Sequence, residues 1–326
     1  AEDGSTTKTY TLTITRAAAA RSSGGSTVWP AIVVTTEAED AVSNSIAMIP
    51  AVSSGTANVS VTQAMADALL EKAEETGGTS KDDQLEIIVD TAAEIGKLKV
   101  SMPQGALAEI AFGSDASLAV TSPMISIAFD GKAVETISGA ASGGEVVITA
   151  ERLADVNGRP VYDLNVMNSG QIVSDFRGGH ATVTIPYTLK PGENPNAVVI
   201  YYLADDGTLK AVRGHYDAAL KAVVFKTPHF SRFSIGYHPV SFADVSDQAW
   251  YKNAVDFIAA RGITSGTGAG RFSPEAKLTR AQFVVLLMNA YQIDVQTQAG
   301  PNFTDAGSTY YTDYLGTAKG LGIVNG

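Results

Sequence analysis

The stretch from Phe242 to Gly326 constrains this chain most, because it marks the ends of two helices and then starts over. In Leu278-Thr279-Arg280-Ala281-Gln282-Phe283, Thr279 can N-cap a helix and Gln282 can reach back to the cap amide. That is a capping box, with Leu278 and Phe283 flanking it as a hydrophobic staple. The spacing predicts a helix with Phe283, Val284, Leu286, Leu287 and Ala290 on one broad buried stripe. Upstream, Phe242-Ala243-Asp244-Val245 and Trp250-Tyr251 precede a second helix carrying Ala254, Phe257 and Ile258. It ends at Arg261-Gly262, with glycine where a left-handed C-cap belongs. The unit is helix, glycine-rich loop, helix.

The pattern then recurs. Phe303-Thr304-Asp305 matches Phe242-Ala243-Asp244 at an offset of 303 − 242 = 61. Tyr311 falls where Tyr251 was, Gly322-Ile323 repeats Gly262-Ile263, and Gly326 repeats Gly266, all at an offset of 60. The sequence stops before a second loop and helix. Half a repeat cannot bury its apolar face alone, so the chain reads as a fragment of a longer protein.

These residues resemble the S-layer homology family. The motifs are Phe242-Ala243-Asp244-Val245, Trp250-Tyr251, Ala260-Arg261-Gly262-Ile263, the run Gly266 to Pro274, and Leu278 to Phe283, in order and at family spacing. The resemblance covers about a quarter of the chain. It implies a secreted protein held to a bacterial cell wall through an anionic, often pyruvylated, secondary wall polysaccharide. It also implies three repeats packed into one three-pronged unit, with ligand in grooves between prongs. This chain has one and a half repeats, and Gln282 stands where the family often has glutamate.

Composition narrows the alternatives. The net charge of −11 argues against a nucleic-acid partner, which needs clustered Lys and Arg. From Phe242 onward there are six Lys or Arg and seven Asp or Glu, against 17 and 27 in the rest. An acidic stalk joined to a near-neutral module tolerates an anionic ligand. The absence of cysteine excludes disulfides, thiol nucleophiles and cysteine-ligated zinc. No apolar run reaches the roughly 18 residues of a membrane span.

Five segments are expected. Residues 1–26 carry an orphan strand (Tyr10, Leu12 and Ile14 alternate with threonines) and an alanine, serine and glycine linker. The strand resembles the last strand of a cadherin-like β-sandwich. Residues 27–150 read as an α+β unit with helices covering one face of a sheet. In it, Val59 to Thr62, Val100 to Pro103 and Ile127 to Asp130 each lead a strand into a helix start, and Leu69, Ile110 and Ile137 follow seven residues later. Thr62 and Asp130 are good caps, and proline suits a first turn. The first helix stripe is Val61, Met65, Leu69 and Ala73, ending at Gly77-Gly78, with a strand at Leu85 to Val89.

Residues 151–240 are expected to be a β-sandwich. Strands are placed at 161–166, 172–176, 181–186, 197–203, 208–212, 222–226 and 230–236, with a hairpin turn at Asp205-Asp206-Gly207. The run from Val183 through Ile235 resembles the ZU5-like module found before S-layer homology repeats. Residues 241–300 are the first repeat and 301–326 a truncated second. The fold class is thus multidomain and mainly β: an α+β strand-helix unit, a sandwich-like domain, then α-helical repeats.

His229-Phe230-Ser231 is the sharpest chemical constellation. In some ZU5-type domains such a tripeptide cleaves itself, the serine attacking the preceding carbonyl with histidine as base. Strand alternation explains the same residues, with His229, Ser231, Phe233 and Ile235 facing one way. No H-x-x-x-H spacing links the four histidines, so no zinc site is expected. Gly266 to Gly270 lacks the lysine of a phosphate loop and reads as a turn.

Arg280, in the first turn of its helix, is the residue whose planar fork suits a carboxylate such as pyruvate's, or else an ion pair with Asp244 or Asp256. Trp250 either stacks on a sugar or plugs the helix junction, and packing is the usual fate of a large aromatic. Asp244, Gly266 and Gly268 match family positions and shape the loop. The expected function is non-catalytic attachment and spacing outside the cell, with no cofactor and no metal. The rivals are self-cleavage at Phe230-Ser231 and a spacer for an enzyme or lattice subunit whose working domain lies elsewhere. Edge strands left by truncation would permit self-association.

Overall fold

The computed structural model describes residues 37–38, 41–75, 84–114, 117–204, 208–297 and 302–325. The strand and linker expected within residues 1–26, the Gly77-Gly78 helix stop and the Asp205-Asp206-Gly207 turn lie outside them. The chain forms two compact units. Of the described residues, the first takes those from 37 to 155, 161–186 and 226–232, and the second takes 156–160 and those within 187–225 and 233–325. Among the described residues the structure is mainly β with some helices, and no helix is long and apolar enough to cross a membrane.

The first unit runs β1 (Glu37–Ala38), β2 (Ala41–Met48), β3 (Ala51–Ser53), β4 (Thr56–Ser60), α1 (Gln63–Glu75), β5 (Gln84–Val89), β6 (Lys97–Pro103), α2 (Gln104–Ser114) and β7 (Ser117–Thr121). It continues with β8 (Ser126–Phe129), α3 (Gly131–Gly139), β9 (Glu145–Val156), β10 (Arg159–Asn168), β11 (Gln171–Ile172) and β12 (Ala181–Pro186). One sheet has the order β1-β2-β5-β7-β8-β12, the other β10-β9-β6-β4-β3 with β11 on β10.

All three strand-to-helix signals are present. Thr62 accepts the Met65 amide at 3.3 Å ahead of α1, Pro103 closes β6 just before α2, and Asp130 caps α3 by accepting the Ala133 amide at 2.9 Å. Leu69, Ile110 and Ile137 are all buried. The helices do not cover one face of a single sheet, however. Each carries the chain from one sheet to the other: α1 from β4 to β5, α2 from β6 to β7, α3 from β8 back to β9. Two successive copies of one crossover place like strands side by side. Hence β4 pairs parallel with β6 and β5 with β7, and the sequence-matched residues meet, Val59 beside Val100 and Ser60 beside Ser101. Parallel partners need such crossovers, since a tight turn cannot reverse the chain twice.

The second unit holds a 3-10 turn (Pro195–Ala197), β13 (Val198–Leu203), β14 (Leu209–Val212), β15 (Gly214–Asp217), β16 (Ala222–Thr227), β17 (Arg232–Tyr237), α4 (Lys252–Ala260), α5 (Arg280–Tyr291) and α6 (Thr312–Gly320). β13 pairs antiparallel with β14, and β15 with β16. β1, β2, β3 and β7 of the first unit, and β9 and β15, were not anticipated. The strand expected at 172–176 shrinks to β11, because the Phe176 amide leaves the ladder for the Pro228 carbonyl at 3.0 Å. The strand expected from Phe230 starts at Arg232 instead.

The helical end follows its repeat. Gly262 (φ 67°) and Gly322 (φ 71°) both take the left-handed conformation. Their amides close on Ala259 and Lys319 carbonyls at 3.0 Å, and Ile263 and Ile323 bond to Ile258 and Ala318 at 2.9 and 2.8 Å. These are paired C-cap bonds that satisfy orphan carbonyls. α4 buries Val255, Asp256, Ala259 and Ala260, one position off the stripe read from sequence, leaving Ala254 exposed. α6 does not pack alone: its Ala318 is buried against Val284 and Met288 of α5, with Tyr314, Leu315 and Ile323 partly buried around them.

Candidate functional site

The capping box forms as its residues dictate. Thr279 Oγ1 accepts the Gln282 amide at 3.2 Å, and Gln282 Oε1 accepts the Thr279 amide at 2.9 Å. The stripe on α5 is narrower than expected. Val284 and Met288 are buried, whereas Phe283 is 55 % exposed and its staple partner Leu278 56 % exposed. Those two side chains, with Thr279, Arg280, Val284 and Val324, line a groove of about 350 Å3. One wall is the start of α5 and the other is Val324, beyond α6.

Arg280 is exposed at this groove. Neither acid suggested as its partner is available. Asp256 is buried and accepts from Lys252 Nζ at 2.5 Å and from Asn194 Nδ2 at 2.7 Å. Asp244 ties down the glycine loop, its oxygens accepting the Phe272 amide at 2.9 Å and the Ser273 amide at 2.8 Å. The Phe272 amide, seconded by that of Ser273, holds the Asp244 carboxyl below the usual aspartate range against an opposing desolvation effect. A guanidinium at a helix N-terminus, rimmed by apolar side chains, fits a ligand with both an anionic and an apolar part.

Gly266 and Gly268 build the loop and stand apart from the groove lining. Gly266 has φ 80°, and a Cβ there would lie 2.3 Å from the Arg271 carbonyl oxygen and 2.6 Å from the Phe242 ring. Gly268 (φ 105°) forms an isolated bridge with Arg271 in open space. Trp250 does not plug a junction. It is 92 % exposed, set edge-on to Tyr251 at 5.5 Å, while Tyr251 packs near Phe242, Val245 and Val255. Tyr310 and Tyr311 repeat the arrangement at 5.1 Å, with Tyr310 66 % exposed. The sequence shows these aromatic pairs, and their matched exposure is the signal that burial patterns alone miss.

His229, Phe230 and Ser231 sit in ordinary backbone surroundings. Phe230, rather than His229, faces the core, forming an aromatic cluster with Phe129 (5.5 Å) and Phe176 (5.1 Å). Its amide donates to the Ser174 carbonyl at 2.9 Å, and the Ser231 carbonyl accepts the Leu164 amide at 3.1 Å. The alternation read from sequence therefore breaks between Phe230 and Phe233, both buried, and resumes in β17. None of the three residues has a positive φ. Among the described residues no three His, Asp or Glu side chains gather as a metal site.

The helices α4, α5 and α6, the glycine C-caps at Gly262 and Gly322 and the groove between the start of α5 and Val324 form one helical module. Residues 241–284 match the family model of the S-layer homology domain. The chain is 26% identical over 178 residues to an amylopullulanase of Thermoanaerobacterium thermosulfurigenes, which covers 52% of this chain and 10% of that protein. It is 26% identical over 86 residues to an S-layer protein of Bacillus thuringiensis subsp. finitimus, 26% of this chain and 10% of the relative. It is 28% identical over 88 residues to endo-1,4-beta-xylanase A of Thermoanaerobacterium saccharolyticum, 27% and 7% respectively. The chain thus spans about a tenth of the length of the curated relatives it matches. No solved structure matches it. The domain and its S-layer relatives make this an extracellular, cell-wall-attached protein.

Proposed function

We propose that this chain is a non-catalytic stalk and anchor. An acidic strand-rich stalk spaces some other working domain from the wall, and the S-layer homology repeats hold an anionic secondary wall polysaccharide. In this reading residues 27–150 and 151–240, the latter ZU5-like, form the stalk, with repeats at 241–300 and 301–326. The observation that carries the ligand assignment is the exposed Arg280, which neither Asp244 nor Asp256 neutralises, at the mouth of an apolar groove. A pyruvyl ketal offers both a carboxylate for the guanidinium fork and a methyl for Leu278 and Phe283. Trp250 adds an exposed ring on which a sugar face can stack.

The test is sedimentation with purified wall sacculi, using protein that carries the complete set of repeats. Arg280→Ala lowers affinity at least tenfold and Arg280→Lys less, and stripping the pyruvyl groups from the wall reproduces the loss. Equal binding by wild type and Arg280→Ala defeats the assignment.

A further inference from the structure

The positions where the two repeats agree build the repeat, so the positions where they differ are informative. At the offset of 60, Gly262 and Ile263 recur as Gly322 and Ile323, but Arg261 becomes Leu321 and Asp256 becomes Gly316. Leu321 is 60 % exposed. Arg261 is instead drawn into the second unit.

Its guanidinium ends α4 by donating to four backbone carbonyls. Nε reaches Gly214 O at 3.0 Å, Nη1 reaches Asn196 O at 2.9 Å and Phe257 O at 3.1 Å, and Nη2 reaches Val198 O at 3.0 Å. The Phe257 ring lies 3.5 Å from the guanidinium carbon. Burial pulls this group down to about 10, so it remains a cation at neutral pH. Carbonyl dipoles and a ring face take the place of water around it. Three of the four carbonyls belong to the strand region: the 3-10 turn, β13 and β15. Only a planar fork with five donors can serve such a set.

The surrounding contacts run the same way. Asn194 Nδ2 donates to buried Asp256 at 2.7 Å. His238 Nδ1 lies 2.8 Å from the Ala260 carbonyl, while its amide donates to Ala197 at 2.9 Å. Ala260 packs on Ala197 and Val199. From α5, the Gln292 amide group donates to the Ala211 carbonyl, and Tyr291 faces Arg213 at 5.6 Å. Both helices of the first repeat therefore set their C-terminal ends on β13 to β15.

We infer that the first S-layer homology repeat is specialised as a docking repeat: Arg261 locks it to β13 and β15, so the passage through residues 238–241 is a rigid joint rather than a hinge. Load taken by the wall anchor then passes directly into the strands. The second repeat, with leucine at the matching position, has no such lock.

Hydrogen exchange and limited proteolysis on the intact chain test this, comparing wild type with Arg261→Leu, the residue of the second repeat, and Arg261→Lys. In wild type, amides of β13 and α4 are expected to open together across a denaturant series. In Arg261→Leu, α4 and α5 amides exchange at least tenfold faster and cleavage appears at 238–241, while β5 and β7 keep their protection. Arg261→Lys shows a smaller change of the same kind. Asn194→Ala, which removes one bond to Asp256, gives a milder local loosening and guards against a misfolded Arg261→Leu. Protection of α4 within twofold of wild type in Arg261→Leu overturns the proposal. So does independent opening of β13 and α4 in wild type, or uniform loss of protection in all three variants.

Discussion

The Asp244 carboxylate accepts the Phe272 amide at 2.9 Å, joining residues 28 apart across the glycine loop. The same group also accepts Ser273 N–H, so the loop is closed by an ionised side chain rather than by backbone pairing alone. Its folded pKa lies below the unfolded value of about 3.9. A depressed carboxylate adds stability above the unfolded pKa, and that stability is lost as pH falls through the folded pKa. The first repeat should thus loosen only below about pH 4. Asp244→Asn, which offers one acceptor oxygen for two amides, should melt lower at pH 7 and lose part of this acid dependence. Thermal melts at pH 7 and pH 3 check it; identical acid dependence in both proteins contradicts it.

Gly266 and Gly268 both have positive φ, but only Gly266 is hemmed in. Alanine at 266 meets the Arg271 carbonyl and the Phe242 ring, so backbone strain and a steric shift add. Gly266→Ala should cost roughly 2–4 kcal/mol and Gly268→Ala about 1 kcal/mol, from strain alone. Urea titration of the two variants measures the gap. Equal costs would mean the crowding at 266 is relieved by movement of Arg271.

Phe230 closes a ring cluster with Phe129 and Phe176. Removing it leaves a cavity as well as lost burial, so Phe230→Ala should cost about 3–5 kcal/mol in chemical denaturation. Backbone bonds from Phe230 N–H to Ser174 and from Leu164 N–H to Ser231 hold this peptide without left-handed strain. Intact mass, read under denaturing conditions after long incubation of the folded protein, should therefore give one species. Two fragments meeting at that bond would instead make the module autoproteolytic.

Asn168 is fully buried and donates to the Ile137 carbonyl at 2.8 Å and the Ser138 carbonyl at 3.2 Å. It satisfies the end of α3 from a strand 30 residues on. Asn168→Ala should cost about 1–3 kcal/mol, since it removes buried hydrogen bonds and leaves the Ile137 and Ser138 carbonyls only their bonds from Ala140 N–H and Gln104 Nε2. A calorimetric melt reads this directly, and exchange at the α3 C-terminus should rise first.

Much of the fold is written locally. Thr279 and Gln282, or Asp130 ahead of α3, are three residues or one turn from the groups they satisfy, so the sequence shows both partners together. The repeat at Gly262 and Gly322 is legible for the same reason, because a left-handed C-cap is a property of one residue and its neighbours. The crossing of α1, α2 and α3 between two sheets was not legible. Periodicity says which side of a helix is apolar, and not which layer covers it.

The site divides along the same line. Sequence marked Arg280, Trp250 and Asp244 by motif. It left open whether Arg280 was paired, and for Trp250 it favoured a junction plug over sugar stacking, whereas the structure leaves the ring exposed. Arg261 was read only as a helix end, because its acceptors at Asn196, Val198 and Gly214 are backbone carbonyls that carry no residue identity. What this sequence determined by itself was its caps, its repeat and the strand-to-helix steps, all fixed by contacts within a few residues. Tertiary structure alone decided which faces stay open and which cation is locked in, because those depend on neighbours brought from 47 to 65 residues away.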